Sequence, residues 1–136
     1  MLWANVVVHW LHVLGAVAWF GGYLMTALVV MPATRALPPE TAAALGEAAL
    51  PRAKRVVLPA ILATGIGGIL LGTVFGPITS LDALFGTIFG WTFLAAVGFG
   101  LVAFYPMKPA WLIRLRAEPI AFFGAFTCMI LMHFGM

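Results

Sequence analysis

The feature that most constrains this chain is an uncharged apolar stretch: no lysine, arginine, aspartate or glutamate occurs between Leu2 and Met31. The hydrocarbon core of a bilayer is about 30 Å thick, and a helix of about 20 apolar residues crosses it. Only 8% of all residues are charged and 64% are hydrophobic, whereas about 25% are charged in an average soluble domain. The sequence therefore predicts an integral membrane protein in a lipid bilayer, excludes a soluble enzyme or a disordered chain, and gives no expectation of nucleic-acid binding.

The apolar segments predict an all-α fold: an antiparallel four-helix membrane bundle that forms one domain over residues 1–136. The predicted spans are 2–31, 56–76, 84–105 and 119–136. We expect the first span to be a retained helix and not a signal peptide, because its apolar run continues well past Ala18. The segment from Glu40 to Leu50 is alanine-rich and is closed by Pro51, which predicts a short interfacial helix between the first two spans.

The basic residues predict the orientation of this bundle. All of them flank or lie in the first and third connections: Arg35, Arg52, Lys54, Arg55, Lys108, Arg114 and Arg116. Basic connections face the cytoplasm, so both termini and the turn at 76–81 are expected on the outer side of a bacterial inner membrane. In that turn, Ser80 or Thr79 is predicted to cap the third helix, with Asp82 in its first turn.

Glycines at four-residue spacing predict how the helices pack. They form two sets: Gly68, Gly72 and Gly76 on the second span, and Gly86, Gly90 and Gly98 on the third. Such spacing lets membrane helices approach closely. It is also compatible with space for a flat cofactor, or with a homodimer formed through these faces.

Histidines are the candidate chemical groups of the predicted spans. No charged side chain lies deep in a span, which disfavours a proton-coupled exporter and a hydrolase, whereas His9, His12 and His133 all lie within spans. Ionisable residues inside a membrane are rare and indicate function. At 100° per residue, one stripe of the first helix and one of the fourth carry them: His9, His12, Ala16, Trp19 and Tyr23; and Phe122, Phe126, Met129 and His133.

Imidazoles in an apolar pocket of a helical bundle suit two cofactors. Haem takes axial histidines and lies between helices; copper binds imidazole and thioether, here His133 with Met129 or Met132. All three histidines fall in the outer half of the predicted bundle, and depth alone pairs His9 with His133. A third hypothesis is a structural or assembly subunit in which the histidines only make local hydrogen bonds.

The first helix resembles a known family. The segment from Leu11 to Gly22 (LHVLGAVAWFGG), followed by VVMPA at 29–33, is similar to the opening helix of CopD-like membrane proteins and of HemJ-type protoporphyrinogen oxidases. The resemblance implies a four-span bundle, with haem b or copper as cofactor and His12 as the ligand. The chain has no counterpart of the HemJ-type arginine segment after this helix and no lysine in the third span. These departures from the HemJ pattern argue against protoporphyrinogen oxidation and leave a haem-binding bundle of unassigned reaction.

Taken together, the sequence favours a b-type haem protein of the membrane. Its axial ligands would be His12 or His9 from the first helix and His133 from the fourth. Two axial histidines favour electron transfer to or from a quinone or an outer-side redox partner. A single axial histidine would leave a coordination position open, as a haem-dependent membrane oxidoreductase requires. Copper binding of the CopD type and an assembly role remain the alternatives.

Overall fold

The computed structural model describes residues 2–104 and 117–135, and every regular element within these ranges is helical. The elements are α1 (Leu2–Met25), a π-helical segment (Thr26–Val30), α2 (Met31–Arg35), α3 (Pro39–Thr73), α4 (Leu81–Gly86), α5 (Ile88–Phe104) and α6 (Ala117–His133). The all-α prediction is confirmed for these residues. The chain divides into two compact units, Met1–Gly68 and Ile69–Met136.

Two helical stretches are long and apolar enough to cross a membrane, Leu2–Arg35 and Pro39–Thr73. In the most apolar window of Leu2–Arg35, only 6% of the residues are buried against the rest of the protein, and in that of Pro39–Thr73 only 22% are buried. The core helix of a soluble protein would instead be mostly buried. The third and fourth predicted spans correspond to shorter apolar helices, Ile88–Ala103 and Pro119–His133, so the four-span bundle and its orientation remain predictions.

The first span does not end at Met31 as the sequence predicts. The π-helical segment continues α1, with the Met31 N–H donating to the carbonyl of Thr26, and α2 then carries the helix to Arg35. Pro32 lies in the first turn of α2, where the missing N–H of proline is best tolerated. A π turn inside an α-helix widens the backbone by one residue, which lets the helix pass the proline.

The prediction of a separate interfacial helix from Glu40 to Leu50 is wrong. These residues are helical, but α3 runs unbroken from Pro39 to Thr73 with Pro51 inside it. A proline inside a helix costs about 3 kcal/mol, in part because the carbonyl four residues earlier loses its partner. At this exposed position water can hydrate that carbonyl, and the Arg52 guanidinium donates to the Ala48 carbonyl at 2.9 Å in the same turn.

The third predicted span is also not one helix. Thr87 is extended (φ −120°, ψ 152°) and separates α4 from α5. Its hydroxyl accepts a hydrogen bond from the Gly90 N–H at 3.0 Å and so caps α5. The predicted cap of the preceding helix is confirmed, because the Ser80 hydroxyl accepts from the Ala83 N–H at 3.1 Å, with Asp82 in the first turn.

Glycines in the second unit pack against aromatic rings. A Cβ on Gly124 of α6 would lie 2.8 Å from the Phe99 ring of α5, and one on Gly72 would overlap the Phe93 ring. Gly86 and Gly98 instead have no atom within 4 Å of such a Cβ among the described residues. The predicted face of Gly86, Gly90 and Gly98 therefore does not pack continuously against a neighbouring helix within the unit.

Candidate functional site

His12 lies where α1 contacts α3 within the first unit. Its Nδ1 is 2.8 Å from the backbone carbonyl oxygen of Thr64. Because a carbonyl oxygen can only accept a hydrogen bond, Nδ1 carries the proton and donates it. In the neutral ring this leaves a lone pair on Nε2, the nitrogen that can bind a metal. The geometry therefore selects one tautomer and one ligating atom.

The His12 side chain is half-buried, and its hydrogen bond to α3 is made through Nδ1. With the proton on Nδ1, Nε2 is the ring nitrogen whose lone pair is left for a ligand.

The imidazole of His12 lies against glycines of α3. A Cβ on Gly67 would lie 2.9 Å from the His12 Cβ, and one on Gly68 would lie 3.0 Å from the His12 Cε1. One turn along α1, a Cβ on Gly15 would lie 2.7 Å from the Ala60 carbonyl oxygen. Residues later in α1 thus contact residues earlier in α3, so the two helices are antiparallel. Their backbones are close both at His12 and at Gly15.

Thr64 contributes its backbone to the site and not its side chain. Its hydroxyl donates to the Ala60 carbonyl at 2.8 Å within α3, and the residue is buried. Its carbonyl oxygen has two lone pairs, so it can accept the helical hydrogen bond and also that from His12. The acceptor is therefore fixed by the rigid helix backbone, which gives the imidazole a well-defined orientation.

The α1 stripe predicted from the sequence is divided in the structure. His12, Ala16, Trp19 and Tyr23 are half-buried, whereas His9 is exposed. His9 instead lines a shallow open groove of about 410 Å³. The groove residues are Asn5, Val6, His9, Trp10 and Val13. Of the two α1 histidines, His12 is therefore the one held in place by a second helix.

The predicted residues of the fourth helix lie in the second unit. His133 is exposed at the end of α6, with its ring edge-to-face on Phe134 at a centroid distance of 5.6 Å. Phe126 is 43% exposed and Met129 is half-buried. The role of His133 as second ligand remains a prediction.

The described residues contain no group of three or more His, Cys, Asp or Glu side chains able to hold a metal ion. Cys128 is buried in α6.

Sequence reasoning identified His12 but not the residues that hold it. Thr64 and Gly67 are 52 and 55 positions away from His12 along the chain, and no local spacing connects them. The glycines at 65–68 were the available signal, because a cluster of glycines within an apolar helix marks a close approach of another element. That signal did not specify a histidine as the approaching group.

Comparison with protein-family models, curated proteins and solved structures gave no match to this chain. The resemblance to CopD-like and HemJ-type proteins therefore stays a prediction based on the first helix.

Proposed function

We propose that this protein is a b-type haem protein of the membrane in which Nε2 of His12 is an axial ligand. The observation that supports the proposal is the 2.8 Å hydrogen bond from Nδ1 to the Thr64 carbonyl. A histidine that binds a metal almost always donates its other ring N–H to a carbonyl, a carboxylate or water, which fixes the ring and strengthens the ligand. His12 already has this arrangement.

The surroundings of His12 fit a flat apolar cofactor. Ala16, Trp19 and Tyr23 continue the half-buried stripe of α1 that begins at His12. Bound haem would supply one-electron redox chemistry at its iron. The chain's own contribution is to orient the imidazole through the Thr64 carbonyl and to hold it against Gly67 and Gly68 of α3.

We retain His133 as the proposed second axial ligand, on the sequence prediction. Two axial histidines would leave no open coordination position, which favours electron transfer with a quinone or an outer-side redox partner. With His12 alone, an open position would allow oxidoreductase chemistry on a small molecule.

The exposed apolar faces of α1 and α3 support a location in a lipid bilayer. We propose a bacterial inner membrane, with the basic connections in the cytoplasm and both termini outside. A cysteine introduced at Thr79 should then react with a membrane-impermeant thiol reagent added from the outer side. Reaction only from the cytoplasmic side would contradict this orientation.

The experiment that tests the proposed function is a reduced-minus-oxidised visible spectrum of the detergent-purified protein, expressed with added haem precursor, with metal analysis of the same sample. A Soret shift with sharp α and β bands is expected. A featureless spectrum with bound copper would instead favour the CopD-type alternative. A featureless spectrum without metal would favour the assembly subunit.

A further inference from the structure

Gly67 of α3 lies against the backbone of His12. A Cβ at this position would be 2.9 Å from the His12 Cβ and 3.3 Å from its Cα. Neither atom is the free end of a flexible side chain, so an added methyl group could be accommodated only by moving the α1 backbone or turning the imidazole. Gly67 is also buried, which leaves the methyl group no alternative direction.

The same contact controls the hydrogen bond of the imidazole. Thr64 and Gly67 are one turn apart on α3, so the surface that supports the His12 backbone and the carbonyl that accepts from Nδ1 belong to one rigid segment. At 2.8 Å the hydrogen bond is near its optimal length, and it weakens steeply when the angle at the hydrogen closes. A small displacement of His12 at Gly67 would therefore release Nδ1 from Thr64.

We propose that Gly67 is a positioning residue for His12: the absence of a side chain at Gly67 selects the tautomer in which Nδ1 is protonated and Nε2 is free to bind. This inference rests on the proposed function for its consequence, haem binding, but the tautomer itself is a property of the protein without haem. The two can be tested separately.

The chain offers a matched control on the same helix. A Cβ on Gly65 would have no atom within 4 Å among the described residues, and Gly65 is exposed. Gly65→Ala and Gly67→Ala make the same chemical change and bring the same gain in helix propensity. Any difference between the two variants therefore reports the contact with His12.

The experiment is ¹⁵N NMR of the haem-free protein in detergent, labelled at histidine, with the His12 signals assigned by their loss in His12→Ala. The ring ¹⁵N shifts show which nitrogen carries the proton. In the wild type and in Gly65→Ala we expect the proton on Nδ1. In Gly67→Ala we expect a mixture of tautomers, and in a parallel haem titration an affinity lower by about 10- to 100-fold, the range found when a partner of a metal ligand is lost.

Two results would overturn the inference. One is a wild-type His12 with its proton on Nε2, a result that does not depend on the folding of Gly67→Ala. The other is a Gly67→Ala protein with the wild-type tautomer and an unchanged ring environment. If the tautomer changes as expected but the wild type binds no haem, the positioning role stands and the proposed function fails.

Discussion

At the scale of single residues, the candidate site depends on a backbone atom. The His12 imidazole is held by the carbonyl oxygen of Thr64, while the Thr64 side chain bonds within its own helix. A carbonyl in a regular helix cannot rotate away from its position as a side chain can. The orientation of the imidazole is therefore set by helix packing, and the identity of residue 64 is less important than the position of α3.

This distinction predicts the behaviour of Thr64→Val. Valine has the shape of threonine and keeps the carbonyl, so haem affinity and the His12 tautomer should be unchanged. The lost hydroxyl bond to Ala60 should lower stability by at most about 1 kcal/mol, measurable as a small decrease in Tm. A loss of haem binding as large as that caused by His12→Ala would show that the threonine side chain takes part.

The sequence alone could not choose between the two histidines of the first helix. The 100° periodicity placed His9 and His12 on one stripe, and depth favoured His9. The structure holds His12 against α3 and leaves His9 exposed. The difference between the two histidines depends on a contact between residues 52 positions apart. The periodicity of a single helix cannot predict such a contact.

At the scale of elements, prolines were the least reliable boundaries. The sequence predicts helix ends at Pro32 and Pro51, yet the helix continues past Pro32 to Arg35 and α3 continues through Pro51. Proline lowers helix stability locally, but the segments on both sides of Pro51 still favour a helix. The sequence before Pro51 is alanine-rich, and the sequence after it is an apolar segment of membrane length. The Ser80 cap was predictable because it depends on residues only three positions apart.

Continuity of α3 predicts a distance. In a Cys128→Ala background, spin labels at the exposed positions of Ala43 and Leu62 should be separated by about 28 Å along the helix axis, at 1.5 Å per residue. Double electron–electron resonance should give a single narrow distribution near that value, with an allowance for the label arms. A broad or clearly shorter distribution would indicate a break at Pro51 and restore the separate interfacial helix.

At the scale of the whole molecule, composition was the strongest predictor. A chain with only 8% charged residues predicts an apolar environment. The structure contains two helices that are long and apolar enough to cross a membrane, and few residues of their apolar windows are buried against the rest of the protein. Arrangement was less predictable, because the chain forms two compact units. Their boundary falls inside α3, at a position that no composition shift in the sequence marks.

The central claim, that His12 binds haem, is tested most directly by haem titration of three purified proteins: wild type, His12→Ala and His9→Ala. His9 is the matched control, because it lies one turn away on the same helix but is exposed and has no hydrogen bond to α3 among the described residues. We predict that the wild type and His9→Ala bind haem with the same affinity and a low-spin spectrum. His12→Ala should lose that spectrum and bind roughly tenfold more weakly or worse. Unchanged affinity and spectrum in His12→Ala, or a loss confined to His9→Ala, would contradict the account.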